Sequence, residues 1–129
     1  MNPLSNEPES AAFANSNVPP TVTERLIAEI IWRRQGRKNA ISIDVLHRAT
    51  GKSERDIKAA VHELVVTHRM RVGSSRATPV GYFVIVDAED LAAAVEPYRA
   101  QIVQMWRRLR VLSSRHELAE LHGQLSLED

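Results

Sequence analysis

The sequence predicts an α+β fold that is mostly helical, with one small β-hairpin and a long C-terminal helical arm. Three observations predict it. Within residues 21–65, apolar side chains return at helical spacing in three successive segments, and each segment starts at a Thr, Asp or Ser able to cap a helix. Two strand-like runs, Met70-Arg71-Val72 and Tyr82 to Val86, flank a connection bracketed by Gly73 and Gly81. From Asp87 onward, Leu91, Val95, Tyr98, Ile102, Met105, Leu109 and Leu112 recur at alternating intervals of 4 and 3, the spacing of a coiled-coil seam. The chain accordingly divides into a flexible N-terminal tail (1–20), a compact domain (21–86) and a helical arm (87–129).

Composition bounds the function. A chain of 129 residues with 43% hydrophobic and 26% charged residues suits one ordinary globular domain with an appendage. There is no Cys, which excludes disulfides and thiolate metal sites. No signal peptide is readable at the N-terminus, and no apolar run nears the roughly 18 residues of a membrane span. The expectation is a cytoplasmic protein without a membrane partner. The net charge of +1 hides an uneven distribution: residues 21–81 carry twelve Lys/Arg against six Asp/Glu. That excess lies where a phosphate-binding surface would need it.

Element by element, residues 1–20 are rich in Asn, Ser, Pro and Glu without any period, the composition of a flexible tail. Thr21 and Glu24 have capping-box spacing and open a first helix with the stripe Leu26, Ile27, Ile30 and Ile31; Gly36 is its expected stop. Arg33, Arg34, Arg37 and Lys38 cluster at its end, where cations suit the helix dipole. Ile41-Ser42-Ile43 alternates, as an edge strand pairing with the hairpin would. Asp44 can cap a second helix running to about Thr50, with Val45, Leu46 and Ala49 inward. Gly51 supplies a turn, and Ser53, with Asp56 three residues on, opens a third helix whose expected buried face is Ile57, Val61, Leu64 and Val65. The opposite face then carries Arg55, Ala59 and His62, flanked by Lys52 and Lys58. Arg can bond a guanine edge bidentately, and a small Ala permits close approach. Asp56 and Glu63 lie to one side and repel phosphates.

The seven-residue connection SSRATPV is long for a hairpin, with Arg76 near its tip and the hydroxyls of Ser74, Ser75 and Thr78 beside it. In the arm, Asp87 and Asp90 have capping-box-like spacing. Pro97 lacks an amide proton and clashes with the preceding turn, so a kink or a junction of two helices is expected at Glu96-Pro97. A last short helix fits residues 115–125, with Leu118, Leu121 and Leu125 on one side and His116 and Glu120 sharing a face. The arm's apolar stripe suits self-association; the alternative is that it folds back onto the first helix.

Fragments that suggest an enzyme are incomplete. Gly51-Lys52-Ser53 ends like a phosphate-binding loop, but Leu46 stands where the first Gly is needed. His62-Glu63 lacks the second His of a zinc-protease helix, since position 66 is Val66. No nucleophile elbow or dinucleotide fingerprint is present. The expectation is a protein that is not an enzyme and uses no cofactor or metal.

The rhythm of Leu46, Ala49, Gly51, Ser53, Ile57, Val61 and Leu64, followed by Gly73 and the Gly81-Tyr82-Phe83 return strand, resembles winged helix-turn-helix domains. It looks like small helix-turn-helix proteins encoded by phages and prophages, over roughly residues 21–90. The resemblance implies double-stranded DNA as partner, in transcription control or replication within a bacterial host cytoplasm. It puts the third helix in the major groove and the wing on the backbone or minor groove. Carried onto this chain, the candidate contacts are Arg55, Lys58 and His62, with Lys52 and Ser53 at the helix start and Ser75 and Arg76 in the wing. Arg33, Arg34, Lys38, Arg48 and Arg71 would add phosphate contacts. It also implies a homodimer through Leu91, Val95, Tyr98, Ile102, Met105, Leu109 and Leu112. The same fold serves protein recognition, so the alternative is an adaptor or inhibitor of a host machine.

Overall fold

The computed structural model describes residues 11–127. The chain is mostly helical with one two-stranded antiparallel sheet, as expected for an α+β protein. The order of elements is α1 (Val22–Trp32), α2 (Ile43–Thr50), α3 (Glu54–Val66), β1 (Val72–Ser75), β2 (Gly81–Val84), α4 (Ala88–Leu112) and α5 (Arg115–Leu127). A 3-10 turn, Arg37–Asn39, separates α1 from α2. Two compact units result, one through Ala94 and one from Val95 onward.

In the first unit, local signals set the helix starts. Thr21 closes the expected capping box on α1: its hydroxyl accepts from Glu24 N–H at 3.1 Å, and the Glu24 carboxylate accepts from Thr21 N–H at 3.1 Å. α1 ends at Trp32, before the basic residues, so none of them stands in its last turn; Gly36, with φ of 85°, belongs to the next turn. α2 is capped by Ser42 rather than Asp44, which stands in its first turn, and it ends at Gly51 with φ of 72°. Ser53 caps α3 by accepting from Asp56 N–H at 3.1 Å.

The three helices bury Ile27, Ala28, Ile31, Leu46, Ile57, Ala60, Val61 and Leu64. Three expected inward residues face out instead. Val45, Ala49 and Val65 are exposed, because α2 and α3 pack through narrower stripes, with Ile43 and Ala60 taking part. Met70 and Val84 close this core from the hairpin side.

The strands are shifted relative to the sequence expectation. β1 begins at Val72 and takes in Gly73, pairing Val72 with Val84 and Ser75 with Gly81. The connection is therefore the shorter 76–80. Two glycines explain the shift. A Cβ on Gly73 would stand 2.8 Å from both Phe83 and Ala94, so its bare backbone admits the Phe83 ring and the start of α4. A Cβ on Gly81 would stand 2.0 Å from the Ile41 carbonyl oxygen. There the 34–41 segment joins the hairpin: Ile41 bridges Tyr82 antiparallel and Gln35 bridges Val84 in parallel. The expected edge pairing is thus one bridge at Ile41, and Ile43 already belongs to α2.

Residues expected to form a flexible tail contribute to this unit. Ala12 is buried, and Phe13 packs against the core. The remainder of that tail, residues 1–10, lies outside the described residues.

Helix α4 runs from Ala88 to Leu112 with Pro97 inside it, so of the two outcomes expected at Glu96-Pro97, a kink or a junction of two helices, the junction is not found. The Asp87 carboxylate accepts from Asp90 N–H at 2.7 Å, which starts the helix. In the second unit, Ser114 and Glu117 form a reciprocal cap on α5. Trp106 meets His122 edge to face at 6.0 Å. Trp106, Leu109, Leu118 and Leu121 are half-buried, so α5 covers one flank of α4.

Candidate nucleic-acid interface

Helix α3 sets out its polar residues by simple periodicity. With Ile57, Ala60, Val61 and Leu64 held in the core, Arg55, Lys58, Ala59 and His62 project outward and are all exposed. None of Arg55, Lys58 and His62 has an ion pair or side-chain hydrogen bond among the described residues. Lys52 precedes the helix and is half-buried; its carbonyl meets His47 Nδ1 at 2.6 Å, which fixes the turn between α2 and α3. The Ser53 hydroxyl is engaged in capping, leaving its own proton for an outside acceptor.

The other expected cations separate into two groups. Arg34, Lys38, Arg71 and Arg76 carry no ion pair among the described residues. Arg34 and Lys38 lie on the segment along β2, Arg71 precedes β1, and Arg76 starts the hairpin connection. Arg48, Arg33 and Arg37 are paired internally. Arg48 bonds Asp44 one turn back on α2, and Arg33 lies 3.7 Å from Glu29. Such exposed pairs are worth little and exchange readily. The Ser75 hydroxyl donates to the Ala77 carbonyl at 2.8 Å, so it shapes the turn rather than standing free.

Arg37 differs in being held by acids from the start of α4. Asp90 is 2% exposed, accepts from Val86 N–H at 3.1 Å and Arg37 N–H at 3.2 Å, and lies 3.6 Å from the Arg37 guanidinium. Glu89 takes the other guanidinium nitrogen at 3.2 Å. This clamp ties the basic segment to the helix entry and withdraws Arg37 from any phosphate surface. Sequence spacing revealed the Asp87–Asp90 cap but not this contact, which spans 53 residues.

A second cluster was also missed. His68 is 1% exposed; its Nε2 meets Glu24 Oε1 at 2.7 Å and its Nδ1 meets Ser16 Oγ at 2.7 Å. Phe13 packs edge-on against the ring at 5.0 Å. Ser16, His68 and Glu24 thus form one hydrogen-bonded row whose central ring is buried. The arrangement anchors residues 11–18 to α1 and the end of α3. At Glu24, burial works to raise the carboxyl pKa. Hydrogen bonds from the Thr21 backbone, the His68 ring and the Thr21 side chain, with the His68 charge, outweigh it and leave the pKa below its ordinary value of 4.5.

Glu24 also lines a surface depression with Asp56, Glu63, Thr21, Thr23 and Ala59. One flank of α3 is therefore acidic, while its outer face is basic.

The expected seam residues of the arm are open. Leu91, Val95, Tyr98, Ile102, Met105 and Leu112 are all exposed, and only Leu109 is half-buried. His116 and Glu120 pair at 3.2 Å, as their spacing implied. Among the described residues no helix is long and apolar enough to cross a membrane.

No family model, curated protein or solved structure matches this chain.

Proposed function

We propose that the chain is a DNA-binding winged helix-turn-helix protein, with α3 in the major groove and the 76–80 connection on the backbone or minor groove. The observation that carries this reading is the outward face of α3. Arg55, Lys58 and His62 stand exposed beside the small Ala59, with no ion pair or side-chain hydrogen bond among the described residues. The Arg55 guanidinium and the Lys58 ammonium, engaged by no acid among the described residues, are available to a phosphate or a base edge. Arg76 on the connection and Arg34, Lys38 and Arg71 near the strands supply further cations without an ion pair among the described residues. Arg48 and Ser53 remain secondary contacts, the first by exchange from Asp44.

The reading extends to a homodimer through the arm, supported by the exposed stripe of α4. Its proposed setting, from the sequence resemblance, is control of transcription or replication in a phage or prophage, acting by binding rather than by catalysis.

Fluorescence anisotropy of the full chain with labelled duplex DNA tests it. Affinity should fall steeply with salt, the logarithmic slope approaching roughly −0.9 per phosphate contacted. Undetectable binding to every duplex at low salt would refute the proposal.

A second reading rests on the acidic flank formed by Glu24, Asp56 and Glu63, which repels a phosphate backbone. It makes the chain a protein-binding module, such as an adaptor or inhibitor of a host machine. Capture of one defined protein, undiminished by nuclease and lost on charge reversal at Asp56, would favour it.

A further inference from the structure

We infer that the arm joins a second copy of this chain in antiparallel orientation; the inference rests on the proposed homodimer. Three features of α4 point to it. First, α5 covers only the flank containing Trp106 and Leu109, leaving Val95, Tyr98, Ile102 and Met105 between 41% and 65% exposed. A stripe of this size on a soluble helix marks an interface.

Second, the four residues are spaced symmetrically about position 100. Reversed and set beside itself, the stripe places Val95 against Met105 of the second copy and Tyr98 against Ile102. These are alternating layers of the two seam positions, the geometry an antiparallel pair needs.

Third, charge along the helix is unequal. Asp87, Glu89 and Glu96 lie towards its start, and Arg107, Arg108 and Arg110 towards its end, all exposed, although Glu89 also meets Arg37 of its own chain. Parallel pairing would bring six arginines of two copies to one end. Antiparallel pairing sets each triplet beside the acidic end of the other copy, and like-charge juxtaposition is what selects against wrong orientations. Arg99 would approach its own copy near the midpoint, but it is exposed and salt screens such a pair. With a rise of 1.5 Å per residue, the two Leu91 positions would stand roughly 27 Å apart along the axis. That is of the order of one turn of duplex DNA.

The chain has no cysteine, so an introduced one is unique. The test uses the full chain carrying Val95→Cys or Met105→Cys, both at exposed positions, oxidised alone and as an equal mixture. Sedimentation of the unmodified chain is measured in parallel. The expected result is a dimer in sedimentation, with the mixed Val95→Cys/Met105→Cys disulfide several-fold more abundant than either self-linked product. A second pair, Tyr98→Cys with Ile102→Cys, should behave alike. A dimer in which Val95→Cys links mainly to itself would overturn the orientation and leave the homodimer standing. A monomer at all concentrations, without cross-linking, would overturn both.

Discussion

Leu64 and Ile102 both sit on helices with a clear apolar repeat, and they end in opposite environments. Leu64 is fully buried among Ile27, Ile57 and the other residues of the first core. Ile102 is 64% exposed on α4. Periodicity tells which face of a helix is apolar; it does not tell what covers that face. In the first unit, three short helices and a hairpin cover one another. In the second, α5 shields one flank of α4 and leaves the seam open. The first region thus holds the buried core, while the second leaves apolar area exposed.

The largest effect expected from this contrast is at Phe83. It is completely buried between Gly73 and Ala94 in a small secondary cluster. Phe83→Ala should lower unfolding free energy by about 3–5 kcal/mol, read by chemical denaturation. A loss below about 1 kcal/mol would mean that this secondary cluster contributes little to the stability of the first unit, and the contrast between the two regions would weaken.

Next comes the buried Glu24–His68 pair. Glu24→Gln removes a charged hydrogen-bond partner and should cost about 1.5–3 kcal/mol near neutral pH. The folded carboxyl titrates lower than the unfolded one, so the unfolded chain takes up this proton first as pH falls. Its contribution is complete above the ordinary carboxylate range and disappears as pH falls through the lowered folded value. The stability gap between the parent chain and Glu24→Gln should therefore close below about pH 4, the ordinary carboxylate range. A gap that persisted unchanged at acid pH would show that Glu24 acts by packing alone.

The third prediction moves from stability to binding. Arg55→Ala should cost about 1–3 kcal/mol on a preferred duplex and relax base preference. Arg34→Ala should weaken all sequences alike and flatten the salt slope by about one unit. Neither should alter unfolding by more than about 0.5 kcal/mol, because neither has an ion pair among the described residues. Equal, sequence-blind losses at both positions would leave α3 without a reading role.

These contrasts also explain what was legible in the sequence. The caps at Thr21, Ser53 and Asp87 were readable because donor and acceptor lie within one turn, and so was the outward set Arg55, Lys58 and His62. Val45, Ala49 and Val65 were misread because their exposure depends on how closely neighbouring helices approach. Ser42 displaced Asp44 as a cap because the chain turns into α2 two residues earlier, after Ile41 bridges Tyr82. His68 and Asp90 were illegible as anchors. Their partners Glu24, Ser16 and Arg37 are 44 to 53 residues away and are brought near only by the fold. Two of the cations in the basic run 33–38 looked available and are held internally by Glu29, Glu89 and Asp90. Formal charge counts the groups; the fold decides which of them remain uncommitted.

The smallest predicted effect tests the arm most directly. Ile102→Ser places a hydroxyl at a solvated position, so the isolated chain should lose no more than about 0.5 kcal/mol. The same kind of change at Leu64, where a polar group would be buried without a partner, should cost several-fold more. Chemical denaturation at low protein concentration reads both values without contribution from self-association. Sedimentation at higher concentration then reads the interface, where Ile102→Ser should weaken dimerisation markedly. If Ile102→Ser instead cost 2 kcal/mol or more, independent of concentration, the stripe would be covered within a single chain. The difference between Leu64 and Ile102 would then be one of degree, and the arm would belong to the fold rather than to a partner.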